Sequence, residues 1–108
     1  MIKIDFLKHC DKLISFNISG HAGFDESGRD IICSAVSVLS GAVVNGVTDV
    51  LKIDAPYDFS DGHMIMSLDS LSNEEIEKCQ VLMETMLVSL KSLEVNYKDY
   101  VNVHIKEV

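Results

Sequence analysis

Two short stretches near the start of the chain alternate apolar and polar residues. In residues 2–7, Ile2, Ile4 and Phe6 fall on one side and Lys3 and Asp5 on the other. In residues 13–19, Ile14, Phe16 and Ile18 fall on one side and Ser15, Asn17 and Ser19 on the other. Period two puts alternate side chains on opposite faces of a strand, so the polar His9-Cys10-Asp11-Lys12 between them reads as the turn of a β-hairpin. The period then changes. From Asp30 to about Lys52, Val36, Leu39, Val43, Val47 and Val50 recur at helical spacing, and Ala35, Ala42 and Val44 widen the stripe. Gly41 and Gly46 each cost such a helix about 1 kcal/mol of propensity. With Ser34, Ser37 and Ser40 they leave room for another backbone, so this helix is expected to be buried tightly against a sheet or a partner subunit.

Pro56 ends any continuation of that helix. Ala55, Tyr57 and Phe59, then Met64, Met66 and Leu68, alternate on either side of Ser60-Asp61-Gly62-His63, and Asp-Gly at the centre of such a pair signals a tight hairpin turn. Ser72-Asn73-Glu74-Glu75 is a capping box, followed to about Leu93 by a helix with Ile76, Cys79, Met83, Met86, Leu87, Leu90 and Leu93 on one face. Val101, Val103 and Ile105 alternate with Asn102, His104 and Lys106 in a last strand. The order ββ-α-ββ-α-β predicts one domain over residues 1–108. It is an α+β two-layer sandwich with a largely antiparallel sheet and both helices on one face. A doubly wound α/β fold is the alternative, but it needs strands that alternate singly with helices.

Composition narrows the classes of function. Of the 108 residues 47% are apolar and one is proline, as in a globular chain with one core. The apolar runs are expected to fall short of the roughly 20 residues that span a bilayer. Lys3 and Asp5 interrupt what a signal peptide would keep apolar, which points to a cytoplasmic protein without a membrane partner. Nine basic residues scattered among seventeen acidic ones give a net charge of −8, so direct binding to nucleic acid is not expected and a basic peptide is attracted. Cys10, Cys33 and Cys79 form no Cys-x-x-Cys pair and leave one odd, which speaks against a disulfide framework or a structural zinc site. Cys10 sits in a turn and Cys79 on a core stripe, positions that suit an incidental thiol and a packed inert one.

The candidate chemistry lies between the first hairpin and the first helix. His21 ends a strand and Cys33 falls in the first turn of a helix that starts at Asp30, with a glycine-studded loop between them. Unpaired N–H groups and the positive end of the helix dipole favour a thiolate at Cys33, and a histidine that reaches it completes a base and a nucleophile. Asp30 either caps the helix or orients His21; one rotamer can hardly do both. Ser37, one turn after Cys33, either bonds a carbonyl of the preceding turn or supports the sulfur or a substrate group. A plain structural or binding module remains open on these residues alone. So does a metal held by His21 and Cys33 with His63 or His9, although no ligand doublet has the usual spacing. The glycines spell no phosphate-binding motif, and no cofactor is expected. His63 is explained by its place beside a tight turn.

Gly20-His21-Ala22-Gly23, a spacer with Gly28, and Asp30-Ile31-Ile32-Cys33-Ser34-Ala35-Val36-Ser37 together resemble the signature of Prp, the ribosomal-processing cysteine protease family. The length and element order of the chain fit as well. Ser34 stands where Ala or Gly is more usual in that family. The resemblance implies a bacterial cysteine endopeptidase that removes the N-terminal extension of one large-subunit ribosomal protein (number twenty-seven) at an aromatic-containing motif. It implies that His21 and Cys33 are the catalytic pair, that Asp30 and Ser37 support them, and that the enzyme is a homodimer. It further implies a mobile loop over residues 22–29, with Ala22, Gly23, Phe24 and Gly28. The other reading consistent with the same loop is a non-catalytic, ribosome-associated module that clamps a peptide.

Overall fold

The alternation at the N-terminus forms a hairpin of β1 (Ile2–His9) and β2 (Lys12–Ser19), longer than the pattern predicts because His9 pairs with Lys12 across a two-residue turn. Cys10 and Asp11 make that turn at φ 50° and 66°, the left-handed geometry that matches the twist of the flanking strands. The computed structural model describes residues 1–20, 31–60 and 62–108. Among these, β1, β2, β3 (Tyr57–Ser60), β4 (His63–Ser67) and β5 (Val101–Glu107) form one sheet in the order β3-β4-β2-β1-β5. Three of the strand pairs are antiparallel; β1 and β5 run parallel, Ile2 beside Val101 and Phe6 beside Ile105. Helix α1 (Ile31–Asn45) follows β2, and helix α2 (Asn73–Asn96) carries the chain from β4 across to β5. This is the α+β sandwich that the element order predicts.

Ile14 is not the inward residue that the alternation makes it. The register passes from Leu7–Ser15 to Lys8–Leu13, so β2 carries one extra residue at Ile14 and its phase shifts there. Leu13 is fully buried in its place and Ile14 is only half-buried. Beyond the bulge the pattern holds. Phe6 and Phe16 lie in register with ring centroids 6.4 Å apart, and Ile2, Ile4, Ile18 and Met66 surround them. Val36, Val43, Val44 and Val47 close over this face from the first helical segment, and Met83, Met86 and Leu90 from α2.

Helix α1 runs on through a π-helical turn, Gly46–Val50, where the N–H of Leu51 donates to the carbonyl of Gly46 at 2.9 Å. A Cβ at Gly46 would stand 2.8 Å from Leu82 Cδ1, so this glycine lets the segment approach α2. Gly41 meets nothing within 4 Å and serves no such contact. The segment Ile31–Val50 has 20 residues and contains an 18-residue stretch with a mean hydropathy of 1.8. Contrary to the sequence expectation, it is long and apolar enough by length and composition to cross a membrane. In the sandwich it buries Ile32, Val36, Ser40, Val43, Val44 and Val47 along one side.

The capping box at α2 is present, with the N–H of Glu75 donating to Ser72 Oγ and the N–H of Ser72 to Glu75 Oε1, both at 3.1 Å. Two turns in, the buried Gln80 behaves as a strand partner. Its Oε1 accepts from the N–H of Leu13 at 2.8 Å and its Nε2 donates to the carbonyl of Leu13 at 2.9 Å. Replacing Gln80 with leucine keeps the volume but strands two buried backbone groups, each costing about 1–3 kcal/mol. Gln80→Leu is therefore expected to lower the unfolding free energy by about 2–6 kcal/mol in a urea titration. A loss below about 0.5 kcal/mol, the usual effect of a surface substitution, would remove the clamp from the account.

Candidate active site

The end of β2, the start of α1 and the β3–β4 turn converge on a cleft of about 280 Å³. Gly20, Cys33, Val36 and Ser37 line it from the first two elements. Ser60, Gly62, His63 and Met64 line it from the hairpin, with Ile2 and Ile18 contributing the sheet side. Gly20 holds these parts together. Its N–H donates to the carbonyl of Gly62 at 3.0 Å, it sits at φ +89°, and a Cβ there would come within 2.5 Å of the Met1 carbonyl oxygen. Only glycine satisfies that backbone angle and that approach together. The residue before His21 is thus pinned to the β1 end and the hairpin turn at once.

Cys33 is the third residue of α1, half-buried and packed against the core. The first turn holds no acidic side chain among the described residues. The positive end of the helix dipole therefore favours an anion at this sulfur. The other thiols lie elsewhere. Cys10 is exposed in the β1–β2 turn, and β2 with its eight residues puts about 25 Å of strand between that turn and the cleft. Cys79 is fully buried in α2, where burial, with a smaller part from the charge of Glu75, pushes its thiol above the ordinary range. Only Cys33 combines partial exposure, a helix start and a cleft.

Ser37 lies one turn further along α1 and also lines the cleft. The back-bond to the preceding turn considered for it is made by Ser40, whose Oγ donates to the Val36 carbonyl at 2.7 Å and lies 3.0 Å from Met64 Sδ. That contact ties α1 to β4 behind the cleft. His63 is more than a turn-edge residue: it is half-buried and faces the same cleft as Cys33. The Asp-Gly hairpin signal was the one hint of this, since it puts residue 63 beside residue 60, but nothing in the pattern brings that turn to α1. His9 stands at the far end of the sheet, its Nδ1 2.8 Å from the Val108 carbonyl, and so cannot join Cys33 at a metal. Among the described residues no three His, Cys, Asp or Glu side chains gather as metal ligands. His21, Ala22, Gly23, Phe24, Gly28 and Asp30 lie outside the described residues, as does the whole of the expected loop 22–29.

A family model described as cysteine protease Prp matches residues 1–102. The chain belongs to the Prp family. The ribosomal processing cysteine protease Prp of Bacillus subtilis is 34% identical over 107 residues, which cover 95% of this chain and 96% of that protein. The Prp of Staphylococcus aureus is 31% identical over 110 residues, covering 98% of this chain and all of the relative. Solved structures agree. A crystal structure of a Streptococcus mutans protein superposes with a TM-score of 0.84 at 33% identity, over all of this chain and 96% of the other. The S. aureus Prp with a covalently linked product peptide gives 0.80 at 28% identity, over 98% of this chain and all of the other. The same protease with a substrate peptide gives 0.76 at 25% identity and equal coverage. As a Prp protein, this chain is a cysteine protease, a hydrolase of peptide bonds.

Proposed function

We propose that this chain is a cytoplasmic, homodimeric endopeptidase that removes the N-terminal extension of a large-subunit ribosomal protein (number twenty-seven) through a His21–Cys33 dyad. The observation that carries the reading is the place of Cys33, in the first turn of a helix and in the wall of an open cleft, within a chain of the Prp family. His21 takes the proton of Cys33, and the thiolate attacks the scissile carbonyl. Backbone N–H groups at the start of α1 receive the oxyanion, and the amine leaves with the proton from His21. Water then hydrolyses the thioester. A covalently linked product peptide in the S. aureus relative supports a covalent step. Ser37, which lines the same cleft as Cys33, is a candidate support for the substrate, and Asp30 either caps α1 or orients His21. A net charge of −8 suits a basic ribosomal tail. Val81, Val88 and Val95 repeat every seven residues on the exposed side of α2 and offer an apolar face to a second copy.

The direct test is to incubate the protein with a tagged tail of that ribosomal protein and follow the products by mass spectrometry. A single cut that releases the N-terminal extension is expected. Intact tail bound at a stoichiometric ratio would instead favour the peptide clamp.

A further inference from the structure

Strand β3 ends at the cleft, and its outer side has no neighbouring strand among the described residues. The direction of its backbone groups follows from one bond. The N–H of Ser67 donates to the carbonyl of Pro56 at 3.0 Å, and the register then pairs Asp58 with Ile65 and Ser60 with His63. In an antiparallel pair the bonded positions alternate, so Pro56, Asp58 and Ser60 spend their backbone groups on β4. Tyr57 and Phe59 turn theirs outward. The same two residues carry rings that are 54% and 41% exposed, with centroids 5.5 Å apart. Phe59 lies in register with Met64, which lines the cleft. Asp58 points its side chain to the opposite face and is exposed, as is Asp54. From Ile53 to Glu77 the chain has seven acidic residues and no Lys or Arg.

Edge strands of natural proteins are usually blunted, with lysine as one common device. This one offers two outward N–H and carbonyl pairs, an aromatic pair on one face and a carboxylate on the other, and it leads to Cys33. We infer that β3 is the substrate-docking strand of the protease: an extended peptide adds to the sheet beside Tyr57 and Phe59. Its apolar side chains lie against the two rings, and its alternate, basic side chains turn toward Asp58. The four residues of β3 span about 13 Å, enough to hold three or four residues on one side of the scissile bond. The inference rests on the protease reading and adds to it a register and an alternating apolar–basic preference.

The test uses Cys33→Ala protein, which holds the peptide without cutting it, and a synthetic peptide of the ribosomal-protein tail. Binding is expected to slow exchange of the Tyr57 and Phe59 amide protons at least 10-fold in NMR, with Asp58 and Ser60, already bonded to β4, unchanged. Tyr57→Ala with Phe59→Ala is expected to raise Kd at least 10-fold, and Asp58→Asn to raise it less and to flatten its dependence on salt. Peptides N-methylated at alternate positions leave the protein untouched, and the positions facing Tyr57 and Phe59 should lose affinity. If the peptide binds with unprotected Tyr57 and Phe59 amides, and the double variant keeps Kd within 2-fold, docking on β3 is overturned. Cleavage by the wild type is scored separately: a tail that is cut without using β3 sinks this inference alone. A tail that binds along β3 uncut sinks the protease reading alone, and a tail that neither binds nor is cut sinks both.

Discussion

Cys33→Ala is expected to reduce kcat/KM for the ribosomal tail by at least about 10³-fold, a barrier increase of roughly 4 kcal/mol or more, with the fold and peptide affinity kept. The substitution removes the sulfur that forms the thioester in the proposed mechanism but deletes just one heavy atom from a half-buried site. The other two cysteines supply the controls. Cys10→Ala changes an exposed turn residue at the opposite end of β2 and leaves cleavage at the wild-type rate. Cys79→Ala opens a small hole in a fully buried stretch of α2 and costs about 1–2 kcal/mol of stability, again with activity intact. Mass spectrometry of the products and a urea titration separate the three outcomes. Cleavage by Cys33→Ala at an undiminished rate would move the nucleophile elsewhere.

Much of this arrangement could be read from local pattern. Period two in residues 2–7 and the capping box at Ser72 depend on contacts within a few residues, and both elements form where they were expected. What escaped is set by contacts between distant segments. The bulge at Ile14 follows from the register that β1 imposes on β2, and one inserted residue is enough to exchange Ile14 for Leu13 in the core. Gln80 looks like any polar helix residue until Leu13, 67 positions away, lies against it. The candidate site shows the same division. Cys33 and Ser37 share a wall because they are one helical turn apart, which spacing alone conveys. His63 and Met64 join them only because β4 pairs with β2, and the bond from Gly20 to Gly62 brings the hairpin turn to the strand end.

Two histidines compete for the role of base. His63 lines the cleft with Cys33, and Gly20, the residue before His21, lines it too. The signature of the family favours His21. His21→Ala is accordingly expected to lower kcat/KM by about 10³-fold, whereas His63→Ala lowers it by less than about 10-fold. The pH profile distinguishes a base from a mere wall. In the wild type, activity should fall on the acid side as the imidazole of the base becomes protonated. A protonated histidine can no longer accept the proton of Cys33, so activity is lost once the base is protonated. His63→Ala should keep this acid limb with a lowered plateau, since a cleft side chain contributes to binding at every pH. His21→Ala should lose the limb along with the rate. If the two variants behave in the reverse way, the base is His63. The dyad would then join α1 to the β3–β4 hairpin, and the strict need for glycine at position 20 would serve to hold that hairpin against the nucleophile.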